Sequence, residues 1–161
     1  MKIFIASPLG FAESSRAFMV VLSEKLRESG LEPVNPWDAS ADLEEELYQA
    51  DLISGRDARQ QKLNQISLLI AERNAYLLKS CDAVLAVLDG CDVDSGTASE
   101  IGYAFGLGGK VINGYRGDFR QSGENDGVQV NLQVQYWIER SGGAIVCSLN
   151  DIGKLDFGKK D

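Results

Sequence analysis

Residues 83–88 (AVLAVL) are apolar without a break, and nothing else in the chain constrains its fold as much. Six apolar residues in a row bury both faces of a strand, as happens where helices cover a parallel sheet on each side. The run stops at Asp89. From there to Thr97 stand Asp89, Asp92 and Asp94 with Gly90, Gly96 and Ser95, and then come the helix-compatible residues Ala98, Ile101, Tyr103, Ala104 and Phe105. Thr97 fits as the helix N-cap, with Glu100 three residues on completing a capping box. Capping alone accounts for Glu100. Four carboxylates crowded at the carboxyl end of a buried strand nevertheless repel one another, and that end is where open α/β sheets bind ligands. The stretch 82–105 is therefore read as the site around which the chain is organised.

The 161 residues suit one domain, 1–161, with a full core. A net charge of −8 argues against a nucleic-acid backbone or an anionic membrane as partner, and for a small neutral or cationic ligand. No apolar run reaches membrane-spanning length, and Met1-Lys2 leads directly into an apolar strand, so a cytoplasmic location is expected. Cys81, Cys91 and Cys147 give neither a CxxC pair nor a closed disulfide framework. The absence of histidine removes the usual zinc ligand and the usual general base near neutral pH. No metal or cofactor is expected, and the chemistry falls to carboxylates, tyrosine, lysine or cysteine. Cys91 has no basic neighbour in sequence and is read as incidental.

In chain order, residues 2–7 read as a first strand, residues 8–11 as a turn, and 12–29 as a helix ended by Gly30. The turn has one glycine, Gly10, so it offers no dinucleotide fingerprint and no phosphate cradle. Residues 31–35 form a second strand, broken by Pro36-Trp37-Asp38; Trp37 either stacks on a ligand or covers the core edge. The acidic stretch 39–55 reads as a solvated helix and loop without chemistry. A long helix spans 56–80, with Asn74 read on sequence alone as facing solvent. Strands follow at 110–115 and 144–147, and a charged tail at 156–161. The polar loop 116–127 is a candidate lid whose Arg116 and Arg120 could reach a substrate. The helix expected at 128–141 spreads Leu132, Val134, Tyr136, Trp137 and Ile138 around more than one face, as a helix with two partners does.

This alternation predicts an α/β fold: a doubly wound, flavodoxin-like three-layer sandwich with a five-stranded parallel sheet in the order 2-1-3-4-5. The switch point then lies between strands one and three. Topology alone brings the turn at residues 7–11 against the acidic loop and Glu100.

Ser7 to Phe11 (SPLGF), Asp89 to Ala104 (DGCDVDSGTASEIGYA) and Val130-Asn131-Leu132 together resemble the nucleoside 2-deoxyribosyltransferase family. The specific part is the combination of Asp94 six residues before Glu100, Gly96 four before it, and the EIGYA continuation. By this resemblance the chain exchanges purine or pyrimidine bases on 2′-deoxyribose through a covalent glycosyl-enzyme. Glu100 would be the nucleophile, Asp94 the residue handling the leaving base, and Asn131 a sugar-hydroxyl ligand given by a neighbouring subunit of a homo-oligomer. Ser7, Asp92 and Gly96 would border the substrate, Asn74 would hold the base, and the stacking partner is either Phe11 or Trp37.

Deoxynucleosides and free bases are then the partners, with no nucleic acid and no membrane. The chemistry agrees with a carboxylate below an anomeric carbon and a proton donor at the base. Crowding by Asp89 and Asp92, together with burial, is expected to keep one carboxyl protonated, while helix-terminal N–H groups keep Glu100 ionised. Two alternatives stay open. One is a glycosidase acting on deoxynucleosides or their 5′-monophosphates, the free nucleoside being favoured because the first loop lacks basic residues. The other is a non-catalytic nucleoside-sensing module.

Overall fold

Five parallel strands, β1 (Lys2–Ala6), β2 (Glu32–Val34), β3 (Ala83–Val87), β4 (Ile112–Tyr115) and β5 (Ile145–Val146), form one sheet in the order 2-1-3-4-5. β3 lies at its centre, paired with β1 from Ile3↔Ala83 to Ala6↔Ala86 and with β4 from Val84↔Ile112 to Val87↔Tyr115. Every residue of β3 is buried, as the apolar run requires. This computed structural model describes residues 1–158; the side chain of Phe11 and residues 159–161 of the charged tail lie outside the described residues.

The strand period of two divides the core between the sheet faces. Val84, Ala86 and Leu88 face one layer with Leu78, Ile101, Ala104, Val134 and Ile138. Ala83, Leu85 and Val87 face the other with Met19, Leu22, Leu26, Ile152 and Phe157. Helix α1 (Glu13–Glu28) covers this second face. It ends where Gly30, at φ 72°, donates to Arg27 O and Leu31 donates to Leu26 O, a left-handed turn that suits a glycine. The short helix α2 (Pro36–Ala39) follows β2, and α3 (Asp42–Asp51) packs Leu43, Leu47 and Ala50 against Leu63, Ile66 and Ile70 of α4 (Arg56–Ser80).

Two helices differ from the sequence expectation at their N-termini. Helix α5 (Ser95–Leu107) begins earlier than a Thr97 cap would allow: Asp94 is its N-cap, and Thr97 lies within the first turn. A Thr97–Glu100 capping box therefore does not form. Helix α6 (Leu132–Arg140) begins at the Asn131 cap rather than at Val128, because the Asn131 side chain accepts from the Gln133 and Val134 N–H groups. The Glu124 carboxylate reinforces this start by accepting from Asn131 Nδ2 and Leu132 N, both at 2.8 Å.

The loop after β4 is held by Arg116, which is buried, at 4 % exposure. Its guanidinium donates to the carbonyls of Leu88, of Gly90 at 3.2 Å and of Arg120 at 2.7 Å. Arg120 is paired with Asp118. Both arginines thus tie down the loop; neither lines the cleft described below. Because a rigid fork supplies three carbonyls at once, Arg116→Lys is expected to cost about 2–3 kcal/mol, read as a lower urea midpoint at an unchanged slope.

Candidate active site

The carboxyl ends of β1 and β3 open onto a cleft of about 290 Å³, at the small end of the usual range for ligand sites. Ser7 leaves β1 into it, and Pro36 and Trp37 of α2 form one wall. The residues Asp94, Gly96, Thr97 and Glu100 enter from the start of α5. Ile70 and Asn74 of α4 and the segment Ser40, Glu44 and Leu47 complete the lining.

Trp37 covers the core edge, as one of its two expected readings has it, and also borders the cleft. Its indole N–H donates to Ser7 O at 3.2 Å, and its ring lies over Gly10, where an added Cβ would sit 1.9 Å from the ring. The Asn35 side chain caps α2 by accepting from Trp37 N at 3.2 Å. The ring is therefore fixed by the core edge while it borders the cleft. Gly10 serves this packing.

Asp94 Oδ2 accepts from Thr97 N at 3.0 Å and Thr97 Oγ1 at 3.3 Å, so one carboxylate oxygen is committed to the helix cap. A side chain at Gly96 would press on that oxygen, since its Cβ would lie 3.0 Å from Asp94 Oδ2. Glu100 is partly buried and accepts no hydrogen bond within the described residues. Burial, with the charge of Asp94 as a second cause, pushes its carboxyl from the usual value up to about 7. This corrects the expectation that helix-terminal N–H groups keep Glu100 ionised: Asp94 caps α5, leaving Glu100 six residues beyond the cap. The crowding that raises Glu100 comes from Asp94 alone. Asp89 turns to accept from Asp118 N at 2.8 Å, and the exposed Asp92 accepts from Val93 N at 2.7 Å.

Of the residues singled out from sequence, Ser7, Trp37, Asn74, Asp94, Gly96 and Glu100 meet in one cleft. Asp92 and Asn131 do not line it within this chain, and the Phe11 side chain lies outside the described residues. Asn74 lines the cleft rather than pointing to solvent. Ser7 Oγ is turned back to accept from Leu9 N at 3.1 Å. Sequence reasoning missed Ser40, Glu44 and Leu47, which lie in the stretch dismissed as solvated; the only signal was Leu43, Leu47 and Ala50 on one helical face amid the acids. Among the described residues no three His, Cys, Asp or Glu side chains converge as metal ligands, and no helix is long and apolar enough to cross a membrane.

The family model described as nucleoside 2-deoxyribosyltransferase matches residues 3–133. Similar solved structures include a 2-deoxyribosyltransferase from Bacillus psychrosaccharolyticus, 20% identical with a TM-score of 0.67, the match covering 98% of this chain and 93% of that one. A conserved protein from Enterococcus faecalis V583 is 24% identical with a TM-score of 0.66, over 96% of this chain and 95% of that one. A 2-desoxiribosyltransferase from Leishmania mexicana is 25% identical with a TM-score of 0.57, over 83% and 84% of the two chains. No curated protein matches the chain in sequence.

Proposed function

The chain belongs to the nucleoside 2-deoxyribosyltransferase family, and from that premise we propose that residues 1–161 act as one domain that transfers 2-deoxyribose between bases by way of Glu100. The observation that carries this reading is the pairing of two unlike carboxylates in one cleft: Asp94 is hydrogen-bonded into the helix cap, and Glu100 is not. Glu100 attacks C1′ of a deoxynucleoside, the bond from C1′ to the base nitrogen breaks, and the departing base nitrogen takes a proton from the Asp94 carboxyl, which recovers one from the N–H of the incoming base in the second step. The nitrogen of a second base then attacks C1′ and releases Glu100, so two inversions give net retention. Trp37 supplies a fixed ring wall for the base.

Incubating a deoxynucleoside with a different free base, and separating the products by chromatography, tests this. A new nucleoside is the expected product. Release of free base at one rate with or without acceptor would make the protein a glycosidase, and tight binding without turnover would make it a sensor.

Because the nucleophile must be ionised and its carboxyl sits at about 7 in the free protein, kcat/KM is expected to rise with pH through that value and level off above it. A profile already flat from pH 5 upward would contradict the assignment of Glu100.

The same reading includes a homo-oligomer. Val134 and Ile138 of α6 are buried, and Trp137 packs beside Gly102, whose Cβ would meet the ring at 3.1 Å. Leu132 and Tyr136 remain exposed at 52% and 49%, as do Tyr103 and Leu107 of the adjoining α5. A second copy seated on these residues would bring Asn131 to a neighbouring cleft.

A further inference from the structure

Residues 88–94 run from the end of β3 to the Asp94 cap of α5 and carry Asp94 into the cleft. Gly90 turns this run at φ 131°, and Val93 anchors its far end in the core. The near end is fixed from another loop. Leu88 N donates to Tyr115 O at 2.8 Å, Asp89 accepts from Asp118 N at 2.8 Å, and the Arg116 guanidinium donates to the carbonyls of Leu88 and Gly90. Burying a cation here is an expensive way to hold a loop. Among the described residues no carboxylate accepts a hydrogen bond from Arg116, whereas buried charges are ordinarily paired, and an apolar side chain would fill the space at lower cost. What a planar fork adds is direction. Two carbonyls two residues apart meet one fork only when the turn between them is closed.

We propose that Arg116 is a positioning residue for the reaction: by closing the turn at 88–90 it sets the path of the run into α5, and so aims the Asp94 carboxyl at the base nitrogen that is protonated as it leaves. The inference rests on the reading of the cleft as a deoxynucleoside site in which Asp94 gives up that proton. Thr97 already holds Asp94 Oδ2, so the aim of the carboxyl follows the backbone that carries it. For a group acting at the reacting bond, a misplacement of about 1 Å can cost about a hundredfold in rate. Glu100 is better protected. It lies six residues beyond the cap, in a helix whose Ile101 and Ala104 are fully buried. Loosening the turn therefore harms protonation of the base more than attack at C1′.

The test compares release of base from 2′-deoxyguanosine and from 7-methyl-2′-deoxyguanosine. In the second, the base already carries a positive charge, and the electron pair of the breaking C1′–N bond neutralises it, so the base departs without taking up a proton. Arg116→Lys is expected to lower kcat for 2′-deoxyguanosine on the order of a hundredfold with KM within about threefold, and to lower kcat for the methylated substrate by less than about tenfold. The ratio of the two substrates in one preparation is independent of how much of that preparation is folded, so lost stability cannot imitate this result. Where Arg116→Lys yields no folded protein, Asp89→Ala takes its place: it releases Asp118 N from the same turn, and the ratio should move in the same direction by at least about threefold. For a protein confined to pyrimidines, 2′-deoxyuridine and 5-fluoro-2′-deoxyuridine replace the purine pair, since fluorine eases departure of the unprotonated base, and a shift of at least about threefold is again expected. Equal losses on both substrates, or a loss confined to KM, would overturn the inference alone. No release of base from any of the four by the unmodified protein would overturn the reading of the cleft, and the inference with it.

Discussion

Glu100→Gln is expected to abolish base exchange, by a factor on the order of 10⁴ or more, while making the protein more stable at alkaline pH. The loss follows from chemistry: a carboxamide of nearly the same shape fills the same place in α5 but cannot form the glycosyl ester. The gain follows from linkage. Burial and the charge of Asp94 hold the folded-state carboxyl at about 7 against an ordinary 4.5. Below about pH 4.5 the group is protonated in both folded and unfolded chains and adds no penalty. As pH rises from there through 7, the unfolded chain ionises freely while the folded chain resists, so stability falls across that window and the deficit is complete above it. A shift of this size corresponds to up to about 3 kcal/mol. The neutral variant avoids it. Urea midpoints at pH 4 and pH 8 should therefore coincide for the two proteins in acid and separate in base, with the variant higher. Transfer above a few per cent of the parent, or a variant less stable at pH 8, would remove the physical basis for Glu100 as a strained nucleophile.

The second large effect concerns Asn131. Within its own chain this side chain caps α6 through Oδ1 and meets Glu124 through Nδ2, away from the residues that line the cleft. If capping is its whole role, Asn131→Ala costs about 1 kcal/mol of stability and leaves turnover intact. The shared-site proposal expects turnover to be lost nearly completely, with KM and kcat both affected. It also expects recovery when inactive Asn131→Ala and inactive Glu100→Gln chains are refolded together, because a mixed pair holds one cleft with both residues intact. Hybrids that form and stay inactive, or a monomer that turns over, would confine Asn131 to its cap.

The sheet was legible because its determinants are local and strong. The unbroken run at 83–88 leaves few alternatives to a central parallel strand, and Gly30 and Pro36 mark the ends of their elements through backbone constraints that sequence displays directly. The site was legible where topology brings strand ends together, which is why Ser7, Trp37, Asp94 and Glu100 could be placed in one cleft. The helix start was not. Asp94 and Thr97 are both acceptable caps, and the T-x-x-E pattern points to the wrong one; Asp94 takes the position, and Thr97 becomes a donor to it. Ser40, Glu44 and Leu47 stayed hidden because an amphipathic helix rich in acids looks the same whether its apolar side packs over a core or roofs a cleft. Arg116 stayed hidden for the opposite reason. Its loop has no periodicity, and only the fold shows that the guanidinium is enclosed by three carbonyls.

The central claim is that the sugar passes through a covalent bond to Glu100. It is tested most directly by incubating the protein with a deoxynucleoside in the absence of acceptor base, quenching rapidly, digesting, and weighing the peptides by mass spectrometry. The account predicts that the peptide containing Glu100 gains the mass of one 2-deoxyribosyl group, that fragmentation places the gain on Glu100, and that adding a free base before the quench removes it with formation of the new nucleoside. An adduct on any other residue, or base exchange that proceeds with every peptide unmodified, would contradict it.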